Sequence, residues 1–113
     1  MSFATQHCVP CTGDMPGVSA EEANRRLGEV PGWNLIDDGK RLERRFKFRD
    51  FVSAVGFVDK LAPVCEEQNH HPDLRLGWGY VTVTFSTHAI RSLSDNDFIM
   101  AAKVSALFEA PQV

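Results

Sequence analysis

Two strand pairs, each followed by a helix, are the feature of this sequence that most constrains its fold. In the first pair, a strand of residues 33–36 is joined to a returning strand of residues 41–48 by an Asp-Asp-Gly-Lys turn, whose glycine supplies a positive φ. In the second pair, a strand of residues 74–76 is joined to a returning strand of residues 80–86 by a Gly-Trp-Gly turn. Both return strands alternate apolar and polar residues, which predicts that one face of each strand is buried.

Capping signals place a first and a last helix. Ser19, followed by two glutamates, is an N-cap with first-turn acids, and it opens a short helix that ends near Gly28. Ser94, with Asp97 three residues later, forms the S-x-x-D start of a C-terminal helix.

The longest helical pattern lies between the two strand pairs. Asp50 can cap it, its apolar residues recur at three- and four-residue spacing, and it extends to about Asn69. Pro63 lacks a backbone donor, so we expect a kink or a break there, and Pro72 excludes helical angles from the residue before it. The order α-β-β-α-β-β-α predicts an α+β fold, an antiparallel sheet with one face covered by helices.

Composition narrows the class of protein. The 113 residues suit one domain, and 43% hydrophobic residues with eight phenylalanines suit a packed core. No stretch is apolar enough to span a membrane, and the first 24 residues have no Lys, no Arg and no apolar signal core. A net charge of −3 gives no general attraction to nucleic acid or to anionic membranes. Three cysteines do not make a disulfide framework, so we expect a cytoplasmic protein.

The N-terminal segment differs from the rest. Residues 1–17 contain Pro and Gly without periodicity and predict a flexible arm, and residues 18–113 form a single domain. The arm carries His7-Cys8-Val9-Pro10-Cys11, a C-x-x-C that supplies half of a tetrahedral zinc site. A zinc site, a disulfide and an ordinary or redox-labile arm are the alternatives. Because only two strong ligands lie close together, we expect no metal.

Three of the four histidines lie within nineteen residues, in Asn69-His70-His71-Pro72-Asp73 and Ser86-Thr87-His88. Imidazole ionises near neutrality, so clustered histidines suggest proton transfer or metal binding. His70 ends a helix, where the dipole favours imidazolium, and Pro72 forces His71 into extended geometry, so the two rings should diverge. Asp97, near a helix N-terminus, could orient an imidazole or hold a polar edge of a substrate.

Each of these residues also has an ordinary interpretation. A lone histidine after a strand, such as His88, is usually a surface residue, and Asp97 can be simply the acid of a capping box. The His-His-Pro sequence can be no more than a helix terminus. Only the combination of the motifs points to a site.

In combination the motifs resemble the pterin-4a-carbinolamine dehydratase family, and the resemblance covers residues 19–108. It rests on five segments: Leu27–Trp33, Phe46–Phe51, Asn69–Asp73, Val81–His88 and Leu93–Phe98. It implies a four-stranded antiparallel sheet with three helices on one face. It also implies conversion of 4a-hydroxytetrahydropterin to quinonoid dihydropterin and water, which recycles the cofactor of aromatic amino acid hydroxylases, with no metal or cofactor.

The resemblance also implies site residues. The catalytic residues would be His70, His71, His88 and Asp97; the pterin-binding residues would be His70, His71, Pro72, Thr87, His88, Ala89 and Ile90. Leu74 stands where animal members carry Trp, and Trp78-Gly79 replaces a Tyr-Asn turn. These departures concern the preferred pterin side chain more than the reaction.

Partners follow from the same resemblance. We expect a small-molecule pterin substrate and a homodimer or homotetramer, because open sheet edges need pairing. The run of basic residues from Lys40 to Arg49 alternates with other residues, which favours a solvated sheet face over a nucleic-acid site. The alternative function is a non-catalytic, dehydratase-like binding protein, either an assembly factor for a carboxylase or a dimerisation cofactor of a transcription factor, with a protein partner still to be identified.

Overall fold

A computed structural model describes residues 3–109; the first two residues of the predicted arm and the last four of the predicted domain lie outside this range. Three helices and one four-stranded sheet make up an α+β fold, as predicted. The helices are α1 (Ala20–Arg26), α2 (Phe51–Gln68) and α3 (Asp95–Glu109), and the strands are β1 (Asn34–Ile36), β2 (Arg41–Lys47), β3 (Asp73–Gly77) and β4 (Tyr80–Phe85). The predicted element order and the resemblance's four-stranded sheet with three helices are therefore confirmed.

The returning strands of the two pairs, β2 and β4, lie side by side at the centre of the sheet. The strand order is β1-β2-β4-β3 and all pairs are antiparallel, so β1 and β3 are the edges. In the central pair, Leu42 lies opposite Phe85 and Phe46 lies opposite Val81. All four side chains are buried, which confirms the predicted alternation.

Aromatic rings fill much of the core between the sheet and the helices. The Phe46 ring centroid lies 6.0 Å from that of Trp33, 5.0 Å from that of Phe57 and 4.8 Å from that of Phe108. Phe98 at the start of α3 is also fully buried. The helices therefore cover one face of the sheet with apolar residues, and α2 and α3 meet over it.

The caps form as predicted at two helices. The Ser19 hydroxyl accepts from the Glu22 N–H at 3.1 Å, and Asp50 Oδ1 accepts from the Ser53 N–H at 2.8 Å. These bonds satisfy donors that the first turn of a helix leaves unpaired. No helix in residues 3–109 is both long enough and apolar enough to cross a membrane.

The break considered at Pro63 does not occur, because α2 is continuous from Phe51 to Gln68. Pro63 cannot donate to the carbonyl of Asp59, which lies four residues earlier. Both residues are exposed, so water can satisfy that carbonyl. Leu61 and Cys65, on either side of the proline, are buried in the core and hold the helix together.

The described part of the arm lies against α2 and α3. The Phe3 ring packs against Phe98 at 5.9 Å between centroids, and Lys103 Nζ donates to the Ala4 carbonyl at 2.9 Å. Immediately after the arm, the Val18 N–H donates to the Leu93 carbonyl at 2.8 Å. Flexibility of the arm stays a prediction, but its contacts with the domain are specific.

Candidate active site

His70 owes its position to the way α2 ends. Asn69 adopts left-handed angles (φ 50°, ψ 44°), its N–H donates to the Glu66 carbonyl at 3.3 Å, and the His70 N–H donates to the Cys65 carbonyl at 3.2 Å. This pair of bonds is a Schellman motif, which ends a helix by reversing the chain. His70 therefore leaves the helix axis and lies against the core.

A buried histidine–aspartate pair is the centre of the site. His70 Nε2 lies 2.7 Å from Asp97 Oδ1, and the two side chains are 5% and 0% exposed. The imidazole also stacks on Phe85, with ring centroids 6.1 Å apart and planes 14° apart. A carboxylate accepts, so the network assigns a proton to Nε2 of His70 and leaves Nδ1 to face another group.

The second oxygen of Asp97 caps the start of α3. Asp97 Oδ2 accepts from the Ser94 N–H at 2.9 Å and from the Thr87 hydroxyl at 2.8 Å, and the Thr87 and Ser94 hydroxyls lie 2.7 Å apart. Because the single Thr87 proton goes to Asp97, Ser94 donates to Thr87. One oxygen of Asp97 thus contacts the imidazole and the other serves the start of α3, while a role in the reaction stays a prediction. The bonds of Oδ2 with Ser94 and Thr87 hold the carboxylate in place independently of its contact with His70.

Nδ1 of His70 faces the arm. It lies 3.5 Å from Sγ of Cys11, which is 59 residues away in the sequence. The amide of Asn96 also approaches this sulfur, with Nδ2 at 3.5 Å. Both ring nitrogens of His70 therefore have partners: Asp97 contacts Nε2, and the arm covers Nδ1.

His71 points in another direction, as Pro72 predicts. Its Nε2 pairs with the carboxylate of Glu66 in the last turn of α2, and both side chains are more than half exposed. The adjacent rings therefore have partners on different elements. His71 is open to a ligand, whereas His70 is not without movement of the arm.

His88 begins the short turn after β4 and is exposed. It lines a cavity of about 280 Å³ together with Asp37, Lys40, Arg41, Ser86 and Arg91. Within residues 3–109 it forms no hydrogen bond with His70 or His71. Asp73 pairs with Thr84, so His71, just before β3, and His88, just after β4, leave the sheet at the same end.

The other residues predicted to bind substrate surround this end of the sheet. Thr87 is fully buried and bonded to Asp97, Pro72 and Ile90 are half-buried, and Ala89 is exposed. Their contact with a substrate stays a prediction. Among the described residues, no three histidine, cysteine or acidic side chains converge as a metal site.

Two contacts of the site were missed in the sequence analysis. Glu66 lies five residues before His71 and could have been noticed, because an acid near the end of a helix can reach back to a residue just beyond it. Cys11 could not, since it lies in an irregular segment whose position depends on the tertiary fold.

Comparison with known proteins agrees with this fold. A sequence model of the family described as "Pterin 4 alpha carbinolamine dehydratase" matches residues 16–107. Two relatives, both named "Putative pterin-4-alpha-carbinolamine dehydratase", are each 47% identical to this chain. The one from Azoarcus sp. (strain BH72) is matched over 93% of this chain and 90% of its own length. The one from Methylococcus capsulatus is matched over 94% and 93%.

Two solved structures share the fold. A "transcriptional coactivator/pterin dehydratase" from Brucella melitensis superposes with a TM-score of 0.76 at 33% identity, over 81% of this chain and 98% of that one. A pterin dehydratase-like protein described as a RuBisCO assembly factor in the alpha-carboxysome has a TM-score of 0.61 at 28% identity, over 72% and 94%. On the family match and these relatives, the chain belongs to the pterin 4 alpha carbinolamine dehydratase family.

Proposed function

We propose that this protein dehydrates 4a-hydroxytetrahydropterins to quinonoid dihydropterins, in the recycling of the pterin cofactor of aromatic amino acid hydroxylases. The observation that carries this proposal is the buried His70–Asp97 pair, with His71 and His88 at the same end of the sheet. The three free thiols suit a reducing compartment, and we expect the reaction to occur in the cytoplasm.

The reaction needs two proton transfers. The lone pair of N5 expels the hydroxyl group from C4a, the oxygen takes one proton and leaves as water, and N5 loses one proton as the C4a–N5 double bond forms. His70 suits the role of acid, because Asp97 stabilises its imidazolium form. The exposed rings of His71 and His88 suit substrate contact and the removal of the N5 proton. General acid–base catalysis of this kind is worth about 10²–10⁴-fold.

The contact between Cys11 and His70 sets a condition on this mechanism. Nδ1 of His70 meets Cys11 Sγ, so a pterin that approaches this nitrogen must displace the cysteine. Because the Cys11 side chain is exposed, it has room to turn away from His70 toward solvent.

The test is a direct assay of dehydration. We expect the wild-type protein to accelerate the decay of freshly generated 4a-carbinolamine, followed by its absorbance, above the rate in buffer. Replacement of His88 by Ala should lower this acceleration, and replacement of Lys40, which lines the same cavity, should leave the chemical step unchanged. A wild-type rate equal to the rate in buffer would show that the proposal is wrong.

A non-catalytic binding role is the second candidate. The observation in its favour is that both nitrogens of His70 are occupied and its side chain is only 5% exposed. A structural relative is also described as an assembly factor. The same assay separates the two functions, because a binding protein leaves the rate of dehydration at its value in buffer.

We further propose that the protein forms a homodimer or homotetramer through the β3 edge. This edge strand has no partner on its outer side within the described chain, and Leu74 on it is 43% exposed. An unpaired edge strand is a template for pairing with another chain. Light scattering at micromolar concentration should give a multiple of 12.6 kDa.

A charge on the edge should weaken this association. Leu74→Lys is expected to lower the mass measured by light scattering, whereas Val52→Lys, at an exposed apolar position on α2, should not. A monomeric wild-type protein, or equal effects of the two substitutions, would contradict assembly through β3.

A further inference from the structure

Cys11, His70 and Asp97 form a continuous chain of a thiol, an imidazole and a carboxylate. Sγ of Cys11 lies 3.5 Å from His70 Nδ1, and His70 Nε2 lies 2.7 Å from Asp97 Oδ1. A nucleophile within reach of a base, with that base oriented by a third group, is the arrangement that activates thiols in proteins. The dehydration mechanism uses the imidazole and the carboxylate but has no role for the thiol.

The arm is held so that the thiol reaches the histidine. Asn96 pairs with the backbone of Val9 through two hydrogen bonds, from Val9 N to Oδ1 at 3.0 Å and from Nδ2 to Val9 O at 2.8 Å. Gln68 Oε1 accepts from the Cys8 N–H at 2.7 Å. Asn96 and Gln68 are 1% and 8% exposed, so two buried side chains of the domain fix the segment that carries Cys11.

The other two cysteines do not share this environment. Burial raises the pKa of Cys8 to about 11 and the pKa of Cys65 to about 11, so both thiols stay protonated at neutral pH. A protonated thiol is a poor nucleophile. Cys11 differs from both because it is exposed and has a base beside it.

We propose that Cys11 is a nucleophilic thiol, activated by His70 and Asp97, that forms mixed disulfides with low-molecular-weight disulfides. Cys11 is thereby a site of covalent modification that is separate from the dehydration. This proposal does not depend on the proposed function. Modification there also removes Cys11 from Nδ1 of His70, which couples the thiol to the histidine site.

The exchange balances without a further reactant. His70 Nδ1 takes the proton from Cys11, and Sγ attacks one sulfur of the disulfide. A new bond forms between Sγ and that sulfur, and the original sulfur–sulfur bond breaks. The departing thiolate takes the proton from His70, so one disulfide and one thiol give one mixed disulfide and one thiol. Asp97 stabilises the imidazolium that exists between these steps.

The first test compares folded with unfolded protein, using 4,4′-dithiodipyridine as the probe. The Cys8→Ser variant is used, because Cys8 and Cys11 fall in the same tryptic peptide, and modification of Cys11 is followed by mass spectrometry at neutral pH. Cys11 should react at least about threefold faster in the native protein than in guanidinium, since an activated thiol loses its base on unfolding. Equal or slower reaction in the native protein would overturn the proposal.

The second test removes the activating group. Asp97→Asn is expected to lower the rate at Cys11 by about threefold or more, because the imidazolium loses its counter-charge. Asp95→Asn, the same change in the same turn of α3, should leave the rate unchanged, since Asp95 pairs with Arg26 instead. An equal loss in both variants, or no loss in either, would contradict activation through Asp97. If the Asp97 variant does not fold, the comparison of native and unfolded Cys8→Ser still decides.

Discussion

Asp97→Asn is expected to slow the dehydration of 4a-hydroxytetrahydropterin by about 10²-fold, the lower end of what acid–base catalysis contributes. The asparagine keeps the shape of the side chain but removes the negative charge from a fully buried position 2.7 Å from His70. Its amide nitrogen can also donate to Nε2, which would move the ring proton to Nδ1. Both effects disfavour the imidazolium that donates the proton. The decisive measurement is the rate at saturating substrate.

Two further variants separate catalysis from folding. Asp95→Asn makes the same change two residues earlier, at an exposed position, and should keep the wild-type rate. If Asp97 acts through His70, the double variant His70→Ala with Asp97→Asn should be no slower than His70→Ala alone, because residues that act as a unit are not additive. Additive losses would show that Asp97 affects the rate by another route. Circular dichroism and a thermal midpoint identify variants that fail to fold.

The fold could be predicted because local patterns agree with its tertiary structure. Residues 41–47 alternate in sequence and form a central strand of the sheet, where one face must be buried and the other need not be. The helix starts at Ser19 and Asp50 follow from single side chains that cap the first turn. Such signals lie within a few residues of the structure that they determine, so one sequence is sufficient to find them.

The site was predictable only in part, for the same reason. His70 and Asp97 each stood out because a helix end lies next to them, and the structure adds that they meet. The contact between Cys11 and His70 has no local signal. It depends on how Asn96 and Gln68 hold an irregular segment, and isolated hydrogen bonds between distant residues leave no periodicity in the sequence.

At Pro63 the local rule that a proline breaks a helix is outweighed by the packing of the helix against the core. The missing N–H costs one hydrogen bond, but the helix on both sides buries Phe57, Leu61 and Cys65 against the core. Burial of a phenylalanine or leucine side chain contributes about 1.5–3 kcal/mol, so packing keeps the helix continuous. Asp59, whose carbonyl is left without that partner, is exposed, which limits the cost.

Phe46→Ala is expected to lower the free energy of unfolding by about 3–5 kcal/mol, the range for truncation of a buried phenylalanine. Phe46 is 1% exposed and its ring packs against Trp33, Phe57 and Phe108, which join β2 to the elements around it. The guanidinium of Arg44 also lies 4.5 Å from its ring centroid and would lose that contact. Urea denaturation of the wild type and the variant gives the difference directly.

Phe46→Leu is the matched control for this prediction. Leucine keeps most of the apolar volume, so the cost should fall to about 1–2 kcal/mol, since a small cavity replaces a large one. The difference between the two variants measures the void left among the aromatic rings, because both lose the ring contacts with Trp33 and Arg44. If Phe46→Ala unfolds with a loss no larger than that of Phe46→Leu, the aromatic cluster does not hold α2 and α3 on the sheet. The histidine site, which lies at the junction of α2, α3 and β4, would then depend on other contacts for its geometry.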